Sequence, residues 1–267
     1  MLIINKSAKY PHICFSMRLR KNFIIWFIGL LLIGSSCQSI IKKNAKAKRI
    51  SFKGNNYDIF MSDYPKDKIK FYWKDKSGNK LRSIANLNNY VAEEGHTLKF
   101  ATNAGMYMEN NSPLGLYIEN KKERAPLNLS LNGKGNFYKQ PNGIFFLSDS
   151  TAKIITTEKY NPSRDRPIYA TQSGPMLVID GMVNPVFTKG SSNINIRSGV
   201  GITIDGRVAF AISNELVNFY DFAILFKESL HCNNALFLDG AISKMYLPEL
   251  NRNDFGGDFG VMIGIEK

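Results

Sequence analysis

Four short loops in this chain each set one amide, guanidinium or carboxylate among small residues: Asn103-Ala104-Gly105, Gln172-Ser173-Gly174-Pro175, Arg197-Ser198-Gly199-Val200-Gly201 and Asp239-Gly240-Ala241-Ile242-Ser243. Glycine lets a ligand approach the backbone, an amide supplies a donor and an acceptor, and a guanidinium offers a planar fork that matches phosphate. The carboxylate of Asp239 follows the buried-looking run Ala235-Leu236-Phe237-Leu238. There it can serve as nucleophile, as base for a water, or as stabiliser of positive charge on a sugar ring. Taken singly, each loop also reads as an ordinary turn and Arg197 as an exposed arginine. Two further Asp-Gly pairs, Asp180-Gly181 and Asp205-Gly206, lie between strand-like runs and predict hairpin turns, because Asp tolerates a left-handed backbone and Gly supplies positive φ.

Other chemistries have little to work with. The histidines are His12, His96 and His231, none in a setting that builds a Ser-His-Asp triad, and no His, Cys or carboxylate cluster has zinc spacing. Asp254 and Asp258, in a glycine-rich loop, leave room for a divalent cation, but no cofactor is required. The cysteines are Cys14, Cys37 and Cys232, so the region that folds has no partner for a disulfide, and Cys232 at the head of an apolar run reads as core.

The elements that must position these loops are mostly strands. A hairpin is predicted about Gly54, strands over 69–73, 98–102, 113–118, 136–138, 143–147, 152–157 and 176–179, and a helix over 84–94 from apolar spacing at Ile84, Leu87, Tyr90 and Val91, stopped by Gly95. A second helix is predicted over 216–230, with Asn218 and Asp221 beside its apolar face. Strands in sequence without regular helix alternation predict an α+β fold, one domain with a large, mostly antiparallel sheet and a few helices.

The N-terminus predicts export. Arg18-Leu19-Arg20-Lys21 precedes an apolar run of signal-peptide length, and Ile33-Gly34-Ser35-Ser36-Cys37 resembles a lipoprotein box, with Cys37 as the lipidated residue. Met17 is an alternative start. Residues 1–36 thus read as a signal peptide, 37–49 as a basic tether and 50–267 as the folded domain. The net charge of +13 suggests nucleic acid until it is partitioned. Five basic residues fall in 1–36 and five in 37–49, with no acid in either, so residues 50–267 carry only +3. No nucleic-acid partner is expected. The expected location is the periplasm, outer membrane or cell surface, held to the membrane by the lipid.

Read in order, six motifs carry a resemblance: Asn-Ala-Gly-Met-Tyr (103–107), Pro-Leu-Gly-Leu-Tyr-Ile-Glu (113–119), Ala-Thr-Gln-Ser-Gly-Pro-Met-Leu-Val (170–178), Arg-Ser-Gly-Val-Gly-Ile (197–202), Val-Asn-Phe-Tyr-Asp-Phe-Ala (217–223) and Leu-Phe-Leu-Asp-Gly-Ala-Ile-Ser (236–243). Together they resemble the phosphodiester glycosidase family over about residues 50–265. The resemblance implies an α+β fold and hydrolysis of a sugar-1-phosphodiester, of the N-acetylhexosamine type, to free sugar and phosphomonoester. It implies Asp239, Arg197 and Asn103 as catalytic positions, and Gly105, Gln172, Ser173, Gly174, Gly240, Ser243, Asn128 and Asp221 as substrate-binding ones, with no metal ligand among them. A carbohydrate phosphodiester is the implied partner. The alternative is a surface lipoprotein that binds glycans without cleaving them, through its amides and the aromatic rings of Tyr107, Tyr117 and Phe219.

Overall fold

Side chains alternate along an extended run, so each strand can bury one face against a second layer and the other against a third layer or a helix. The computed structural model describes residues 46–238 and 242–267. The leader, residues 37–45 of the predicted tether with Cys37, and the site positions Asp239 and Gly240 lie outside the described residues, while the last four tether positions, Lys46 to Arg49, belong to the folded unit, whose first strand begins at Ala47. Lys46–Lys267 form one compact unit. In chain order its elements are β1 (Ala47–Phe52), β2 (Asn55–Ser62), β3 (Ile69–Tyr72), α1 (Ile84–Glu93), β4 (Leu98–Asn103), β5 (Tyr117–Glu119), β6 (Lys122–Ala125), β7 (Gly143–Leu147), β8 (Ala152–Thr156), α2 (Pro162–Asp165), β9 (Tyr169–Ser173), β10 (Met176–Ile179), β11 (Met182–Val183), β12 (Ser198–Thr203), β13 (Val208–Ser213), α3 (Phe219–Ile224), β14 (Cys232–Phe237), β15 (Met245–Leu247), β16 (Arg252–Asn253) and β17 (Met262–Glu266).

These strands build a central seven-stranded sheet in the order β1-β2-β13-β12-β14-β10-β11, and two five-stranded sheets, β16-β15-β4-β17-β3 and β6-β5-β9-β7-β8. Every strand pairing among the described residues is antiparallel. The fold is therefore α+β, with the large antiparallel sheet and few helices that the sequence predicts. No helix among the described residues is long and apolar enough to cross a membrane.

One aromatic cluster joins the three sheets. Phe60 and Phe210 come from the central sheet, Phe71 and Phe100 from the second, and Phe145 from the third. Ring centroids lie 4.5 Å apart for Phe60 and Phe100, 4.9 Å for Phe100 and Phe210 and 5.7 Å for Phe71 and Phe145. Burial of one such ring contributes about 1.5–3 kcal/mol, so the cluster fixes the strand ends of different sheets relative to one another. The other face of the central sheet is covered by α3 and the π-helical turn Leu225–Ser229, through Phe219, Phe222 and Phe226. β12 receives these rings at two glycines. A Cβ on Gly199 would lie 3.1 Å from both the Phe222 and Phe226 rings, and one on Gly201 would lie 2.7 Å from Phe226. α1 covers the second sheet with Ile84, Leu87 and Val91.

Local signals hold where the cause is local. Ser83 caps α1 by accepting from Asn86 N, and Gly95 ends it at φ +80°. Asp180 (φ +47°) and Gly181 (φ +80°) form the two-residue turn between the paired Ile179 and Met182. Cys232 is buried core, its thiol pushed up to about 12 by burial. Three elements differ from expectation. The helix over 216–230 is shorter: Asn218 accepts from Asp221 N and so starts α3 at Phe219, and past Ile224 the backbone widens to the π pattern, with Leu230 N donating to Leu225 O. The 113–118 strand begins only at Tyr117, because Leu114 N donates to Met106 O and Leu116 N to the Gln172 side chain. Residues Asn136–Tyr138 form a 3-10 turn, not a strand, and plug Phe137 into the cluster under α3.

Candidate active site

Several strands end at one place. β12 begins beside the end of β14, with Gly199 opposite Phe237, and beside the end of β13, with Ser198 opposite Ile212. Leu238 N donates to Ser198 O (3.0 Å) and Phe237 N to Pro175 O (3.1 Å). β4 brings its last residue, Asn103, to the same junction from the second sheet. Asn103 is buried, and its Oδ1 accepts from Ser198 Oγ (3.0 Å), Lys244 N (3.1 Å) and, more weakly, Thr102 Oγ1 (3.4 Å). One amide oxygen thus ties two sheets to the segment that carries the buried Ser243. Leu238, just before 239–241, and Lys244, three residues past them, are both held at this junction.

Arg197 enters from the residue before β12. Only 1% of its surface is exposed. Its Nε donates to Val217 O (2.8 Å), its Nη2 to Asn193 O (2.8 Å) and Oδ1 (2.9 Å), and the guanidinium lies 3.6 Å from the Phe219 ring centroid. All these partners are neutral. Among the described residues no carboxylate bonds to it, and burial lowers its pKa to about 10, which leaves the charge in place at neutral pH. Carbonyl dipoles and the ring face replace part of its hydration, but its charge is not cancelled.

The remaining predicted positions divide by neighbourhood. Gln172, at the end of β9, is saturated: Oε1 accepts from Leu116 N (2.9 Å) and Asn128 N (3.0 Å), and Nε2 donates to Asn128 O (2.7 Å) and Thr157 Oγ1 (3.4 Å). Asn128 is the other half of that clamp, with its own Nδ2 on Leu114 O (3.0 Å). Gly105 is packed against β9, where any Cβ would overlap Gln172 O and Thr171 Oγ1. Gly174 is as confined, since a Cβ would sit 2.6 Å from Asn142 Cβ. Ser173 Oγ is buried and has no hydrogen-bond partner among the described residues. Asp221 closes on Asn218, accepting from its Nδ2 (2.8 Å) while its own backbone N donates to Asn218 Oδ1 (2.9 Å).

The structure therefore brings Asn103 and Ser243 to one junction, sets the guanidinium of Arg197 on the α3 side of the sheet against Val217, Asn193 and Phe219, one residue from Ser198, and places Gln172 and Asn128 together at the third sheet. Sequence reasoning missed Ser198, Asn193 and Lys244. Ser198 stood inside a quoted motif, and its alternation with Arg197 along an extended run was the available signal. Beside the junction lies an open cavity of about 470 Å³, reached by Asn195, Asn214, Ser243 and Lys244. Among the described residues no group of three or more His, Cys, Asp or Glu side chains could hold a metal ion. Asp254 instead accepts from Arg252 Nε (2.8 Å), and Asp258 is bidentate with Arg82 (2.8 Å for both bonds). Of the aromatic candidates of a binding-only protein, Tyr117 and Phe219 are buried and Tyr107 is half-buried.

Comparison with known proteins gives a family and a fold. The phosphodiester glycosidase family profile matches residues 96–265. The uncharacterized protein YigE of Escherichia coli (strain K12) is 36% identical over 181 residues, 68% of this chain and 70% of that protein. The catalytic domain of zebrafish N-acetylglucosamine-1-phosphodiester alpha-N-acetylglucosaminidase, solved auto-inhibited by its pro-peptide, superposes with TM-score 0.56 at 12% identity, over 83% of this chain and 81% of that one. A hypothetical protein from Synechocystis gives TM-score 0.54 at 11% identity over 82% of this chain, which spans 61% of that protein's length. At such identities the two structures establish the shared fold.

Proposed function

The chain belongs to the phosphodiester glycosidase family, and from that premise we propose that it hydrolyses a sugar-1-phosphodiester of the N-acetylhexosamine type to free sugar and phosphomonoester. The observation that carries this reading is the buried, charged Arg197 without a carboxylate partner among the described residues. A cation kept in that state favours an anion arriving at the strand end, and a phosphate whose charge grows as the anomeric bond breaks favours it further. In the reaction the anomeric C–O bond breaks, its electron pair stays on the phosphate oxygen, and a water oxygen takes the vacated position on carbon. A phosphomonoester leaves well without a strong general acid. The reaction then tolerates a site without histidine.

Arg197 is assigned to the departing phosphate, through Nη1, the edge of its fork that bonds to no described residue. Asp239 is assigned to the anomeric carbon, either attacking it or taking the proton of the water; retention or inversion in the product separates these roles. Asn103 is assigned to the sugar, its orientation set by Ser198 and Lys244. Gln172 becomes a positioning residue, because its four bonds are internal. We place the enzyme outside the cytoplasm, acting on envelope or extracellular glycans from a lipid on Cys37, on the strength of the leader and lipoprotein box.

The test is release of free N-acetylhexosamine from its 1-phosphodiesters, followed by chromatography. Wild-type protein is expected to release it, and Asp239→Asn to lose about 10²–10⁴-fold in turnover. Near-full turnover by Asp239→Asn removes the assignment of Asp239. Binding of such esters without any release returns the protein to the glycan-binding class.

A further inference from the structure

Resting on the hydrolase reading, we infer that the 470 Å³ cavity beside the junction is a second anion subsite, and that the preferred substrate carries another phosphate beyond the one released from the sugar. The volume lies in the range of small-molecule sites and exceeds what the scissile phosphate alone would fill. Its wall is continuous with the proposed machinery: Ile196 precedes Arg197, and Lys244 donates its backbone N to Asn103.

The two cations that reach the cavity differ. Arg252 is committed to the fold, with Nε on Asp254 Oδ2 (2.8 Å) and Nη1 on Asp58 Oδ2 (3.1 Å) and Asn214 Oδ1 (2.6 Å). Asp254 also lines the cavity, and its charge is met by Arg252. The ammonium of Lys244 pairs with no carboxylate among the described residues. Asn214 has its carbonyl oxygen turned to Arg252, which leaves its NH₂ as a donor, while the NH₂ of Asn195 already gives one N–H to Asn193 Oδ1 (3.1 Å) and keeps the other. One uncancelled cation with the NH₂ of Asn214 and the remaining N–H of Asn195 recognises phosphate oxygens, and an apolar or neutral sugar aglycone would leave that charge without a partner.

Two substrates test this: the methyl ester of N-acetylhexosamine 1-phosphate and the methyl ester of N-acetylhexosamine 1-diphosphate, each given to full-length wild type, Lys244→Met and Lys244→Arg. Wild type is expected to favour the diphosphate about tenfold in kcat/KM, the worth of one charge-assisted hydrogen bond. Lys244→Met should lower kcat/KM on the diphosphate about tenfold more than on the monophosphate, while Lys244→Arg keeps the preference. Equal use of the two esters by wild type, or equal losses in Lys244→Met, overturns the subsite and leaves the hydrolase reading standing. Hydrolysis of neither ester overturns the hydrolase reading, and the subsite falls with it.

Discussion

Asp58 and Arg197 are buried charges on the same sheet, and they are treated in opposite ways. Asp58 on β2 and Ser198, next to Arg197, both face Ile212 of β13 from opposite sides, which puts them two strands, or about 10 Å, apart. Asp58 accepts from Arg49 Nε (2.7 Å) and Nη2 (3.0 Å) and from Arg252 Nη1 (3.1 Å). Burial pushes its carboxyl up, and the arginine hydrogen bonds outweigh that and hold it below the usual carboxylate range. Arg197 is given carbonyls and a ring face. A charge cancelled inside the fold has nothing left for a ligand, and the fold loses stability when its partner is removed. A charge left uncancelled costs stability and is available to a ligand.

The difference can be broken from either side. Asp58→Ala leaves two arginines without their carboxylate and should destabilise the protein by about 3–5 kcal/mol, read as a shift in urea midpoint, while the molecules still folded keep their turnover. Arg197→Met should do the reverse. Turnover on a sugar-1-phosphodiester is expected to fall by about 10²–10³-fold, the cost of one lost charge-stabilising donor, with the urea midpoint unchanged or higher, because an apolar chain of similar volume replaces an uncancelled charge. A large drop in stability in Arg197→Met would make it a structural arginine and dissolve the contrast.

Acid supplies a third probe. The lowered carboxyl of Asp58 contributes stability that is fully present above the unfolded carboxylate range, near 3.9, and is lost as pH falls through its folded value. Wild type should therefore lose more stability than Asp58→Asn on acidification from pH 5, measured as urea midpoints across the series. The smallest effect compares two helix caps. Ser83→Ala and Asn218→Ala should each cost about 1 kcal/mol. Only the second should also lower turnover, because Asn218 follows Val217, whose carbonyl takes Arg197 Nε.

Elements whose cause lies within a few residues were legible in the sequence. The Asp180-Gly181 turn needs positive φ at two adjacent positions, and α1 needs an apolar stripe, a serine before it and a glycine after it. The length of α3 was not legible from its apolar spacing, because that spacing continues through the π turn as it would through a helix. At the site, residue types could be chosen, but their partners could not. Asn103 meets Ser198 and Lys244 across 95 and 141 residues of chain, and local pattern says nothing about such pairs. Gln172 shows the same limit: an amide in a small-residue loop looks the same whether it awaits a ligand or clamps two backbone segments.

The glycines of β12 carry a consequence for how this molecule can vary. Gly199 and Gly201 leave a trough in which the rings of Phe222 and Phe226 lie. The strand that presents Arg197 therefore shares its inheritance with the helix behind it. A relative with alanine at position 199 should carry a smaller residue at 222 or 226, and one with alanine at 201 a smaller residue at 226 or 232, where Cys232 Sγ lies nearest, so those five positions are expected to drift as a unit while the chemistry at the strand end stays constant.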